Sequence, residues 1–161
     1  MLMAQYPLRM DYSLVLTDLL RMKPVAFRAP RITARHLAAS CALPGFLPQC
    51  KIDGRWYSDG GLLNPLPAWA AVEYGATHII ALHAGLPILP LLFRPFVYSF
   101  RAVFGYNPPL PSGVEAITIR PPQSLGSLSE MMHWKRENAA LWLERGRQAA
   151  KNISLPICFQ R

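Results

Sequence analysis

Two Asp-Gly pairs separated by one short strand constrain this chain more than any other feature. Cys50-Lys51-Ile52 and Arg55-Trp56-Tyr57-Ser58 flank Asp53-Gly54, which has the form of a two-residue β-hairpin because Asp-Gly tolerates the positive φ angles of a type I′ turn. Asp53 is therefore read as a turn residue. The returning strand delivers Asp59 at its end, followed by Gly60-Gly61-Leu62-Leu63-Asn64-Pro65-Leu66-Pro67. The two glycines let the backbone bend closely around whatever the carboxylate faces. A carboxylate at a strand end on a glycine hinge is well placed for chemistry. The structural alternative is a second plain turn.

The rest of the chain supplies alternating elements. Residues 12–17 read as a buried strand, 30–41 as a short helix, 67–74 as a helix closed near Gly75, and 77–83 as a second buried strand. Strands alternating with helices predict an α/β sheet covered on both faces. The length of 161 residues and 52 % hydrophobic content suffice for a sizeable core. Pro108-Pro109-Leu110-Pro111 reads as a stiff connector, and residues 116–120 alternate like a short strand stopped by Pro121-Pro122. From Ser127 the pattern turns helical, with Ser127 and Ser129 as N-cap candidates, Met131, Trp134, Leu141 and Trp142 as apolar positions, and Gly146 as a weak point. No internal repeat or second-domain boundary is evident.

Several ordered segments resemble the patatin-like phospholipases. They are Leu16-Thr17-Asp18-Leu19-Leu20, the run from Ala38-Ala39-Ser40-Cys41-Ala42 through Leu43-Pro44-Gly45-Phe46-Leu47-Pro48, Ile52-Asp53-Gly54-Arg55-Trp56-Tyr57, the Asp59-Gly60-Gly61 run, and Ala76-Thr77-His78-Ile79-Ile80-Ala81-Leu82. The resemblance is strongest over residues 13–84, and residues 141–150 look like that family's terminal helix. It implies a three-layer α/β fold with helices on both faces of the sheet. Residues 1–161 would form the C-terminal portion of a single such domain, incomplete at its N-terminal side. It also implies a lipid acyl hydrolase working through a serine–aspartate dyad. The family's Asp-Gly-Gly motif matches Asp59, which would be the proton acceptor, with Gly60 and Gly61 shaping its turn. The family's G-x-S-x-G elbow and glycine-rich oxyanion loop have no counterpart here. None of the ten glycines is followed two residues later by serine, and no glycine precedes Gly45.

No other serine substitutes. Ser58 neighbours Asp59 but points to the opposite strand face, and Ser40 reads as a small packing residue in an Ala-rich helical stretch. His36, His78, His83 and His133 are scattered, and structural roles are expected for them. The chain is thus expected to need a missing N-terminal half or a second subunit to hydrolyse a lipid or phospholipid ester. The alternative is a non-catalytic lipid-binding or interaction protein derived from the same fold. A sheet without its first strands predicts marginal stability or association.

Charge and composition narrow the partners. A net charge of +8, from 17 Lys and Arg against 9 Asp and Glu, favours anionic headgroups and equally nucleic acid. The basic residues are dispersed, with Arg28, Arg31 and Arg35 the clearest group. No nucleic-acid signature accompanies them, so nucleic acid is the weaker partner. Cys41, Cys50 and Cys158 show no C-x-x-C spacing, and with no phosphate loop or H-E-x-x-H motif neither cofactor nor metal is expected. The twenty uncharged residues 74–93 contain His78, His83, Gly85, Pro87 and Pro90, which argues against a membrane span. Phe96, Phe100 and Phe104 form a stripe at i, i+4, i+8 of a helix opened by Pro95. The stripe suits core packing, or an acyl groove or membrane-facing patch. No signal peptide is apparent, and a cytoplasmic protein in contact with a membrane surface is expected.

Overall fold

The computed structural model describes residues 11–84, 94–121, 123–127, 129–130, 133, 135–151 and 153. They fall into two compact units, one of residues up to Ala70 with Phe104–Asn107, the other of Ala71–Val103 with the residues from Pro108 onward.

The first unit is organised by β1 (Ser13–Asp18), the second strand of a four-stranded antiparallel sheet. It pairs on one side with β2 (Lys23–Arg28) and on the other with β4 (Arg55–Asp59), which in turn pairs with β3 (Cys50–Ile52). The β3–β4 hairpin forms as its sequence predicts, with Asp53 at φ 48° and Gly54 at φ 80° in the left-handed conformations that a type I′ turn requires. Strand β2 was not anticipated, because Pro24 interrupts its alternation. The register places Pro24 opposite Thr17 on an edge strand, where a missing N–H is tolerated.

Helix α1 (Ala34–Ala39) packs on this sheet. Leu16, Ala39, Ile52 and Tyr57 form the buried cluster, with Leu14, Val25, Phe27 and Cys50 against it. Phe27 meets His36 and Tyr57 edge-on, at ring centroids of 4.6 and 5.6 Å, the arrangement aromatic quadrupoles favour. Asp18 ends β1 with no solvent exposure. Its Oδ1 accepts from the N–H groups of Leu20 and Arg21 at 3.0 and 3.1 Å, and its Oδ2 lies 3.4 Å from Arg55 Nη1. This buried charge is therefore both hydrogen-bonded and paired. Helix α2 (Ala68–Glu73) carries buried Trp69 and Ala70 in its first turn.

In the second unit, β5 (His78–Leu82) and β6 (Glu115–Ile119) pair in parallel. Helix α3 (Arg94–Phe104) matches the helix expected after Pro95. Phe100 is half-buried and Phe104 exposed, while the side chain of Phe96 lies outside the described residues. The helical pattern after Ser127 is not one continuous helix. His133 and Lys135 are non-helical, and α4 (Arg136–Lys151) starts beyond them and runs through Gly146. Trp142 Nε1 and Arg145 Nη1 of α4 donate to the carbonyls of Leu125 and Ser124. Ser127 takes the capping role expected of it, bonding to Glu130 through its N–H and hydroxyl at 2.7 and 2.8 Å and accepting from the Glu130 N–H at 3.2 Å. Those bonds hold the Glu130 carboxyl below its ordinary range. Met131, Trp134 and Cys158 lie outside the described residues.

The α/β expectation holds, with one difference. The strands read as buried in the sequence, β1 and β5, stand in separate sheets. No helix among the described residues is long and apolar enough to cross a membrane. Leu16→Ala, at a site with no solvent exposure, is expected to cost about 3 kcal/mol, measured by urea unfolding. A loss under about 1 kcal/mol would show that the cluster around Leu16 is not the core of this unit.

Candidate active site

Asp59 stands where β4 gives way to a 3₁₀ turn, Gly60–Leu62, for which it is the N-cap. Its position is set mainly by backbone atoms. The Asp59 N–H donates to the Ala42 carbonyl at 3.2 Å, and Thr17 Oγ1 donates to the Asp59 carbonyl at 2.9 Å. Leu16 of β1 lies directly opposite Asp59 in the sheet. Asp59 Oδ1 accepts from the Gly61 N–H at 2.6 Å, and Oδ2 has no hydrogen-bond partner among the described residues. Burial pushes the carboxyl above its ordinary range, and the Gly61 bond opposes that shift. A partly desolvated carboxylate with one oxygen anchored and one available is a stronger base than an exposed one.

Gly60 is required by space, and Gly61 by the carboxylate beside it. A β-carbon on Gly60 would stand 2.2 Å from the Val15 carbonyl oxygen and 2.8 Å from its carbon, so only glycine lets this turn approach β1. On Gly61 it would stand 2.9 Å from Asp59 Oδ1 and push on the carboxylate itself. Asn64 closes the turn. It is buried, its N–H donates to the Gly60 carbonyl at 3.0 Å, and its Oδ1 accepts from Leu66 N–H at 2.9 Å. Its Nδ2 donates to the Tyr106 carbonyl, and the Tyr106 ring packs edge-on against Trp69 with centroids 5.3 Å apart.

Ser58, Ser40, His36, His78 and His133 each have a local hydrogen-bond partner. Ser58 Oγ is fully buried and donates at 2.7 Å to the same Ala42 carbonyl that holds Asp59, so it is committed elsewhere. Ser40 caps the end of α1 and donates to Leu37 O at 2.7 Å. His36 Nδ1 accepts from the Thr33 N–H at 3.1 Å, and burial lowers its pKa, keeping it neutral as a helix-capping group. His78 Nδ1 bonds Thr77 Oγ1 and His133 Nδ1 bonds the Ser129 carbonyl, each at 2.9 Å. Sequence reasoning missed the supports: Thr17, the Ala42 carbonyl and Asn64. Only Asn64 carried a signal, since Asn-Pro favours turn initiation. Among the described residues no group of three or more His, Cys, Asp or Glu side chains is placed to hold a metal ion.

Two substitutions separate structural from chemical roles. Gly60→Ala is expected to cost about 3 kcal/mol or more, measured by unfolding; a neutral result would remove the close approach to β1. Asp59→Asn is expected to behave oppositely. With its folded-state pKa raised, Asp59 contributes stability below its unfolded pKa that is lost as pH rises through the folded value. At neutral pH the ionised group therefore carries a burial cost that asparagine lacks. The melting temperature of the variant relative to the native chain should rise between pH 4.5 and pH 7, and a uniform loss at all pH values would make Asp59 a structural carboxylate.

Comparison with known proteins bears on the same segment. Residues 17–72 match the family described as patatin-like phospholipase. An uncharacterized NTE family protein of Mycobacterium bovis is 43 % identical over 60 residues, and two from strains of Mycobacterium tuberculosis match equally. The aligned stretch covers 37 % of this chain and only 16 % of each relative. The matched residues include the end of β1, α1, the β3–β4 hairpin and the Asp59 turn, and over that segment the chain is similar to the patatin-like phospholipases.

Proposed function

We propose that this chain supplies the carboxylate half of a lipid acyl-ester hydrolase site, as the C-terminal portion of a single patatin-like domain, with Asp59 as proton acceptor of a serine–aspartate dyad. The observation that carries this reading is the Asp59 carboxylate itself: half-buried, raised in pKa by that burial, tethered through Oδ1 to Gly61 and, among the described residues, without a hydrogen-bond partner at Oδ2. An unactivated serine hydroxyl is a weak nucleophile, and a carboxylate within hydrogen-bonding reach orients it and accepts its proton as it attacks the ester carbonyl. The raised basicity of Asp59 suits that step. The serine, and the amides that stabilise the oxyanion, come from outside these 161 residues, because no G-x-S-x-G elbow occurs in them. The substrate class, acyl esters of lipids, follows from the name of the family whose model matches residues 17–72.

The test uses the native polypeptide or assembly that contains this sequence, assayed on a chromogenic fatty-acid ester. Asp59→Asn should lower kcat by roughly 10³-fold or more with little change in KM, as expected for a group acting in the transition state. Full activity in that variant would sink the assignment of Asp59.

A further inference from the structure

The turn between α1 and β3 leaves the protein beside Asp59. Ala42 is fully buried, and its carbonyl accepts from both the Asp59 N–H and Ser58 Oγ. From there the chain runs outward through Leu43-Pro44-Gly45-Phe46-Leu47-Pro48, exposed from Pro44 to Pro48. Phe46 is 55 % and Leu47 44 % accessible, so two adjacent large apolar side chains stand in water. The turn is braced. Phe46 N–H and Leu47 N–H both donate to the Leu43 carbonyl, at 3.1 and 3.0 Å, Gln49 Nε2 donates to the Leu47 carbonyl at 3.0 Å, and prolines stand at both ends. Four residues reach at most ~14 Å, which keeps Phe46 within that distance of Ala42.

Cations flank the same segment. Lys51 follows it in β3, and Arg35 of α1 reaches over to donate from Nη1 to the Lys51 carbonyl at 3.4 Å. Both side chains are exposed. The acidic group nearest in sequence is Asp53, at the tip of the hairpin. Exposed Phe and Leu on a stiff turn, edged by Arg and Lys, have the composition of a surface that seats its apolar tip among acyl chains and its cations at anionic headgroups. Because the turn is braced by its own hydrogen bonds, little ordering cost attends docking.

We infer that residues 43–48 form a lipid-docking rim of the Asp59 site, with Phe46 and Leu47 entering the surface of an anionic phospholipid bilayer and Arg35 and Lys51 meeting its headgroups. This inference rests on the lipid-ester reading of the site and specifies how substrate reaches it: from a lipid surface, at the rim nearest the carboxylate.

The test is cosedimentation of the chain with two sets of vesicles, pure phosphatidylcholine and a mixture of about three parts phosphatidylcholine to one of phosphatidylglycerol. The Phe46→Ser/Leu47→Ser variant should bind both at least about tenfold more weakly. Arg35→Gln/Lys51→Gln should weaken severalfold on the anionic vesicles alone, with the difference vanishing at high salt. Asp59→Asn should bind as the native chain does. The inference falls if the native chain binds neither vesicle, or if the Phe46/Leu47 variant melts normally and binds within about twofold of the native chain. The latter result is also what a rim covered by another polypeptide would give. The two readings fail separately. Rim-dependent vesicle binding combined with full hydrolysis by Asp59→Asn leaves the docking surface standing and removes the dyad, whereas the reverse pattern removes the rim alone.

Discussion

The contact between Gly60 and the Val15 carbonyl governs the architecture of the first unit around Asp59. β1 pairs with both β2 and β4 and presents its backbone to the turn that follows β4. With no side chain at Gly60, turn and strand come together, and Thr17 can bond the Asp59 carbonyl from β1. Leu16, between Val15 and Thr17, faces the core with Ala39 and Tyr57. One strand thereby holds the hydrophobic cluster and the carboxylate in fixed register, so the packing of the unit and the position of its candidate chemistry are the same problem.

Two aspartates at neighbouring places in the sheet show how environment divides their roles. Asp18 is sealed from solvent, and both of its oxygens are engaged, one by two backbone N–H groups and the other by Arg55. It joins the β1–β2 turn to the start of β4 and has no capacity left for a substrate. Asp59 has lost part of its hydration without gaining a cation, and a single N–H at one oxygen is its only compensation among the described residues. Asp18 has the full compensation of a structural carboxylate, whereas the incomplete compensation of Asp59 is what makes it the candidate for chemistry. The distinction lies in the hydrogen-bond count rather than in the residue type.

Much of this was legible in the sequence where the code is local. Asp53-Gly54 specifies its turn through backbone sterics, and the apolar runs of β1 and β5 mark strands, although only β1 ends in a fully buried stretch while β5 alternates, with Ile80 and Leu82 exposed. Ser127 was legible as a capping residue, and the structure adds Glu130 as its partner. Strand β2 was hidden because Pro24 reads as a breaker unless the strand is known to lie at an edge, which is a property of the sheet. The supports of Asp59 were hidden for a related reason. Thr17 lies 42 positions away and acts through its hydroxyl, and Ala42 acts through a main-chain carbonyl that any residue would provide. Two Asp-Gly pairs with the same local signature also proved different, since Asp53 adopts a positive φ and Asp59 a negative one of −51°.

The cradle around Asp59 has a consequence for how such a site can be lost or kept. Its anchors are main-chain groups, one threonine hydroxyl and one glycine amide, and of these only the Gly61 N–H touches the side chain, at an oxygen that an asparagine amide would also present. An uncharged residue of the same shape would sit there at no cost to folding, and a lineage relieved of its chemistry could discard the carboxylate without disturbing the sheet. An asparagine would satisfy the same backbone anchors, so the fold requires the shape of this side chain rather than its charge.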